Sequence, residues 1–120
     1  MEFIKTNIDP TDKKQVYRMT KGDSLKVQDL QRGDSFPVDK YALFNEEKIR
    51  NKQDGKTETY TEQVLAFTSG AKKIATISQT FIKSFLEIVD IMGEDHFSIV
   101  ITGGKTKNGR DYVNCELDCN

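Results

Sequence analysis

The run TFIKSFLEIVDIM, residues 80–92, decides how the chain is read. Phe81, Phe85, Ile88 and Met92 form one row at spacings of three and four, and Ile82, Leu86 and Val89 form a second beside it. Two adjacent rows at that spacing make an amphipathic helix with a wide apolar face, which must pack on something. Ser78 or Thr80 can cap its start, and Gly93 can end it with a left-handed backbone. The reading predicts one helix near 79–92.

Outward from the helix the period changes from 3.6 to 2. On the C-terminal side Phe97, Ile99 and Ile101 alternate with Ser98, Val100 and Thr102, and Val113, Cys115 and Leu117 alternate with Tyr112, Asn114 and Glu116. Both runs are half-buried strands. Residues 103–110, GGKTKNGR, join them, and Asn108-Gly109 is a strong hairpin signal. On the N-terminal side 72–77 reads as a short strand after a Ser69-Gly70 turn, and 57–67, rich in Thr, Tyr and Val, as another. In 35–44 Phe36, Val38, Ala42 and Phe44 share one parity and Tyr41 and Leu43 the other, so both faces of that strand are partly covered. Pro37 removes one ladder donor and places that end at an edge or bulge. Residues 45–56 are almost wholly polar and read as a long exposed loop.

From residue 35 the order is strand, strand, strand, helix, strand, strand. A helix between the third and fourth of five strands is the order of the OB-fold, a Greek-key barrel. The fold class expected is mainly β: a five-stranded OB-fold-like barrel with one helix between strands 3 and 4, in a single domain spanning 1–120. Residues 15–20 and 24–30 read as short strands of an N-terminal strand or hairpin addition, and 1–13 as a polar arm.

Composition narrows the function classes. The 120 residues carry 18 basic and 19 acidic side chains, a net charge of -1. Coating duplex DNA by charge alone calls for a basic excess. No apolar stretch approaches a membrane span, and the N-terminus has no signal-peptide core. Cys115 and Cys119, on a strand, would stand about 13 Å apart, beyond disulfide reach. The expectation is two reduced thiols in the cytoplasm of a bacterial host cell. His96 is the only histidine, and no nucleophile elbow, phosphate loop or dinucleotide fingerprint occurs. The reading therefore expects no enzyme, no catalytic residue, no metal and no cofactor.

Cations and tyrosines at loops and strands supply the remaining chemistry. Lys105, Lys107 and Arg110 fall within six residues without an intervening carboxylate, and Tyr112 follows. In an OB barrel this loop and the one joining strands 1 and 2 flank an oligonucleotide groove. The second loop carries Lys48, Arg50, Lys52 and Lys56. Two basic loops beside one groove would funnel a polyanion. Tyr41, Phe44, Tyr60 and Tyr112 are candidates for stacking on bases, and Lys72 and Lys73 for holding phosphates. Phe36, Phe67, Phe81, Phe85 and Phe97 are assigned to the core.

The segments SLKVQDL (24–30), Gly33, VDKYA (38–42), TISQTF (76–81), FSIVI (97–101) and GKTKNGRDY (104–112) together resemble the small phage single-stranded DNA-binding proteins of Gram-positive hosts. The resemblance spans roughly 24–117 and rests on the order and spacing of several weak pieces. It implies an OB-like fold, protection of displaced strands during phage replication, and no cofactor. It supports the hairpin from Lys105 to Tyr112 and the strand around Tyr41, and leaves the N-terminal arm unanchored. Expected partners are single-stranded DNA and other replication proteins, with no membrane; the oligomeric state is open. The competing reading is a protein-interaction module on the same barrel without nucleic-acid affinity.

Overall fold

The computed structural model describes residues 2–120. It is mainly β, and the helix found first in the sequence is present as Gln79–Met92. The Ser78 hydroxyl accepts from the Phe81 N–H at its start, and Gly93 ends it at φ 60°. This helix packs Phe81, Ile82, Phe85, Ile88 and Val89 into the main core.

The N-terminal fifth differs most from expectation. Of the arm 1–13, Met1 lies outside the described residues. Phe3–Thr6 forms strand β1, paired antiparallel with a later strand, β4. Residues 15–20, read as a strand, lie in a helix, α1, Lys13–Thr20; Gln79–Met92 is therefore α2. Asp12 decides the matter locally, its carboxylate accepting from the Lys14 and Gln15 N–H groups. Val16 and Met19, three apart, then face the protein together. The second N-terminal strand shrinks to β2, Leu25–Lys26, followed by a 3-10 turn, Val27–Asp29.

The region read as one strand, 35–44, is two. β3, Ser35–Val38, and β4, Lys40–Asn51, belong to different sheets. Asp39 marks the break. Its N–H donates to the Thr68 carbonyl at 2.9 Å, and its carboxylate accepts from Gly70 N–H at 2.8 Å. The extra residue flips the side-chain parity, so Phe36 and Val38 share a core with Tyr41 and Leu43.

Residues 45–56 are not a loop. β4 pairs without interruption with β5, Thr57–Ser69, from Lys40↔Thr68 to Asn51↔Thr57. Only the turn at 52–56 is irregular. Polar composition misled because the hairpin projects beyond the core, so its ladder is satisfied while both faces stay wet. β6, Lys72–Thr76, β7, Phe97–Lys105, and β8, Asp111–Leu117, follow the expected strands.

Among the described residues, eight strands form a five-stranded sheet, β1-β4-β5-β6-β2, and a three-stranded sheet, β3-β7-β8. Among the described residues no closed barrel is formed: β6 pairs with β2 and not with β8. The 3-10 turn touches both β6 and β8, and its Val27 is fully buried between them. The main core lies between the two sheets and α2. A second, smaller cluster of Ile8, Met19, Ala42, Phe44 and Ala66 lies on the other face of the larger sheet, packed by Phe3 and Val16.

Candidate nucleic-acid interface

The long β4–β5 hairpin carries half of the expected site. Residues 46, 48 and 50 of β4 continue the face of Ala42 and Phe44, opposite Glu62, Tyr60 and Glu58 of β5. This register places Lys48 directly across from Tyr60 and next to its diagonal neighbour Glu62. Lys48 Nζ donates to Glu62 Oε1 at 2.6 Å, and the bond holds the ammonium pKa above its ordinary value. Arg50 lies 4.4 Å above the centroid of the Tyr60 ring and pairs with Glu58 at 3.4 Å. Two of the four cations expected to be free here are thus matched by carboxylates one strand away. Lys52 and Lys56, at the turn, are exposed. Tyr60 is half-buried, its ring stacked beneath a guanidinium that can itself stack on a base.

The β7–β8 hairpin is more open. Its turn is closed by Thr106 N–H to Arg110 O and Gly109 N–H to Thr106 O, both at 2.9 Å, with Gly109 at φ 77°. Lys105, Lys107 and Arg110 are exposed, and none enters any of the three ion pairs found among the described residues. Tyr112 is 43% exposed and stands across from Gly104.

Gly103 and Gly104 belong to strand β7, and their service is different from a turn. A Cβ on Gly103 would fall 2.3 Å from the Tyr112 carbonyl oxygen and 2.6 Å from Arg32 Nε. A Cβ on Gly104 would meet the Tyr112 hydroxyl at 3.2 Å and its ring carbons at 3.4 Å. The glycines let Arg32 and the Tyr112 ring lie against the strand. Arg32, whose guanidinium donates to Leu30 O at 3.0 Å and Tyr112 O at 3.4 Å, adds a cation that the sequence reading missed. It sits in a turn 80 positions away, where no periodicity marks it. Lys26, in the two-residue strand β2, is also exposed.

Three expected contacts are corrected. Tyr41 is 6% exposed and packs edge-on against Phe85 at 5.6 Å, so its ring is core and offers no face to a base. Burial raises its phenol pKa. Phe44 is 2% exposed and packs against Phe3 on the second core. Lys73 donates to the Arg18 carbonyl at 3.0 Å and to the Lys21 carbonyl, so it holds the C-terminal end of α1. Burial lowers its pKa. Lys72 is exposed, with its ammonium 5.8 Å from the Phe36 ring.

Cys115 and Cys119 are both free thiols; Cys115 is buried, which pushes its pKa up to about 12, and Cys119 is exposed. His96 is exposed just before β7. Among the described residues no group of three or more His, Cys, Asp or Glu side chains could hold a metal ion, and no helix is long and apolar enough to cross a membrane.

A mainly β framework that projects two hairpins, one with an unpaired basic tip beside an open tyrosine and one with a stacked Arg–Tyr pair, has the ingredients of a single-strand-binding surface. The family follows from the sequence match: the chain belongs to the Phi29-type family of phage single-stranded DNA-binding proteins, whose family model matches residues 1–118. That is a family of DNA-binding proteins and not an enzyme class. The match takes in α1 and β1, beyond the 24–117 span of the resemblance. No curated protein and no solved structure matches the chain.

Proposed function

We propose that the chain coats single-stranded DNA exposed during phage replication or recombination inside the host cell, largely without regard to sequence. An OB-like surface is supported by β3 and β4, consecutive strands that belong one to each sheet, and by α2 lying between β6 and β7 in the chain, as the helix does in that fold. The proposed contacts are Lys48, Arg50, Lys52, Lys56 and Tyr60 of the β4–β5 hairpin, Lys105, Lys107, Arg110 and Tyr112 of the β7–β8 hairpin, and Lys72. Phosphate contacts and stacking carry little base information, so this set favours sequence tolerance. The observation that carries the reading is the β7–β8 tip, where three exposed cations lack carboxylate partners beside Tyr112.

Salt dependence tests it. Each phosphate contact releases counterions, giving about -0.7 in the slope of log affinity against log salt for a single strand. Replacing Lys105 and Lys107 by alanine flattens the slope by about 1.4 if each makes one contact. The loss is equal for oligo-dT and mixed sequences, and stability is unchanged. The net charge of -1 favours the other reading, a module that binds partner replication proteins only. That reading predicts no oligonucleotide affinity in the parent.

A further inference from the structure

Helix α1 has two faces that differ in kind. Val16 and Met19 pack on the second core, and the Thr20 hydroxyl donates to the Val16 carbonyl at 2.7 Å. Tyr17 points the other way and is 69% exposed, more than Tyr112. Lys13 and Lys21 stand four residues before and after it, which puts all three on one stripe. With Pro10, Val16 and Thr20 they line a shallow hollow of about 370 Å³. Residues 13–21 hold four cations, Lys13, Lys14, Arg18 and Lys21, and no carboxylate. Of the acids nearby, Asp12 is engaged on the helix cap and Asp9 on Thr11, and Asp23 lies two residues past Lys21.

The hollow is continuous with a larger groove. Thr20 and Lys21 also line the depression between α1 and the outer face of the larger sheet. That depression shares Ser24, Glu46, Val64 and Ala75 with a third, of about 610 Å³, bordered by Lys26 and Lys48. Lys48 in turn is registered across from Tyr60. A track therefore runs from Tyr17 to Tyr60 with Lys21, Lys26 and Lys48 along it and Glu46 as the one carboxylate among its lining residues. Lys73, by holding the last carbonyls of α1, keeps the helix fixed at one end of that track.

We infer that α1 is a second contact for the single strand, with Tyr17 stacking on a base and Lys13 and Lys21 holding the flanking phosphates. The inference rests on the single-strand reading and adds a site to it. A wide aromatic face between two ammonium groups suits the alternation of base and phosphate along a single strand, and base stacking on such a ring tolerates any sequence.

The experiment is titration of the full chain with a long oligo-dT at several salt concentrations, comparing the parent with Tyr17→Ala, Tyr17→Phe and the double variant Lys13→Gln/Lys21→Gln. Tyr17→Ala weakens binding about tenfold, Tyr17→Phe keeps parental affinity, and the melting temperature of all variants stays at the parental value. The double variant flattens the salt slope by about 1.4. Photocrosslinking to 5-iodouracil oligonucleotide labels the tryptic peptide containing Tyr17. Parental affinity in Tyr17→Ala, with an unchanged slope in the double variant and no label on that peptide, overturns the inference while leaving the proposed function standing. A parent that binds no oligonucleotide overturns both.

Discussion

Phe85 is the side chain on which most of the aromatic core converges. It is fully buried and touches Tyr41, Phe67 and Phe97 with ring centroids 5.6, 5.5 and 6.0 Å away. Because these three rings come from three different strands, the site cannot collapse when Phe85 is removed. Phe85→Ala is expected to cost about 3–5 kcal/mol in denaturant melts; a loss under about 1 kcal/mol would contradict this packing. Gly103 makes the opposite case, where adding atoms does the damage. Its missing Cβ leaves room for the Tyr112 carbonyl and Arg32, and the carbonyl is backbone that cannot step aside. Gly103→Ala is expected to destabilise by about 1–3 kcal/mol and to displace Arg32. Unchanged melting would show that the β7–β8 ladder gives way freely. Tyr60→Ala differs from both, since the ring sits on a projecting hairpin under Arg50. It should weaken oligonucleotide binding by about 1–3 kcal/mol with little effect on the melt.

At the scale of elements, α1 shows how a short helix is held. Eight residues are marginal alone. Asp12 supplies the first-turn acceptor, Val16 and Met19 supply the apolar contact, and Lys73 supplies a cation for the last carbonyls. Lys73→Met should therefore loosen α1 before anything else. The expected readout is faster amide exchange across 13–21, with a global loss of up to about 1 kcal/mol. Exchange that is unchanged there would show the Lys73 contact to be incidental. The alternation of 15–20 does not disclose any of this. A polar stretch with Val16 and Met19 suits a short strand or a short helix, and the choice is made by a cap and by a sheet that the residues themselves do not contain.

At the scale of the whole molecule, side-chain bonds tie the chain ends to the framework. Lys5 of β1 pairs with Asp90 of α2, and Ser35 of β3 donates to Asp118, just past β8, at 2.5 Å. The hydrogen bond from Ser35, with a further one from the Asn120 N–H, lowers the Asp118 pKa from its ordinary 3.8. A carboxylate depressed in the folded state contributes stability above its unfolded pKa and loses it as pH falls through the folded value. Ser35→Ala should therefore cost most stability in neutral melts, with its difference from the parent shrinking as pH falls below the ordinary 3.8 and through the folded value. A difference that persists undiminished in acid would place the effect elsewhere. Lys5 runs the other way. The Asp90 bond raises its pKa, so its contribution is present below the ordinary lysine range and is lost as pH rises through the folded value.

Much of this protein is legible in its sequence because local pattern and tertiary need coincide there. The α2 stripe, the alternation of β7 and β8 and the Asn108-Gly109 turn are each local signals, and each element sits where they put it. The basic tip from Lys105 to Arg110 is readable for the same reason, since an exposed hairpin owes little to the rest of the fold. What only the tertiary structure decided is which groups are paired or covered. Lys48 and Arg50 read as free cations until the antiparallel register sets Glu62 and Glu58 beside them. Tyr41 and Phe44 read as half-exposed rings until α2 and Phe3 cover the two faces of β4. Lys73 reads as a phosphate ligand until α1 turns its last carbonyls toward it. Burial and charge pairing depend on partners tens of residues away, and a one-dimensional pattern carries the identity of a side chain but not the company that folding brings to it.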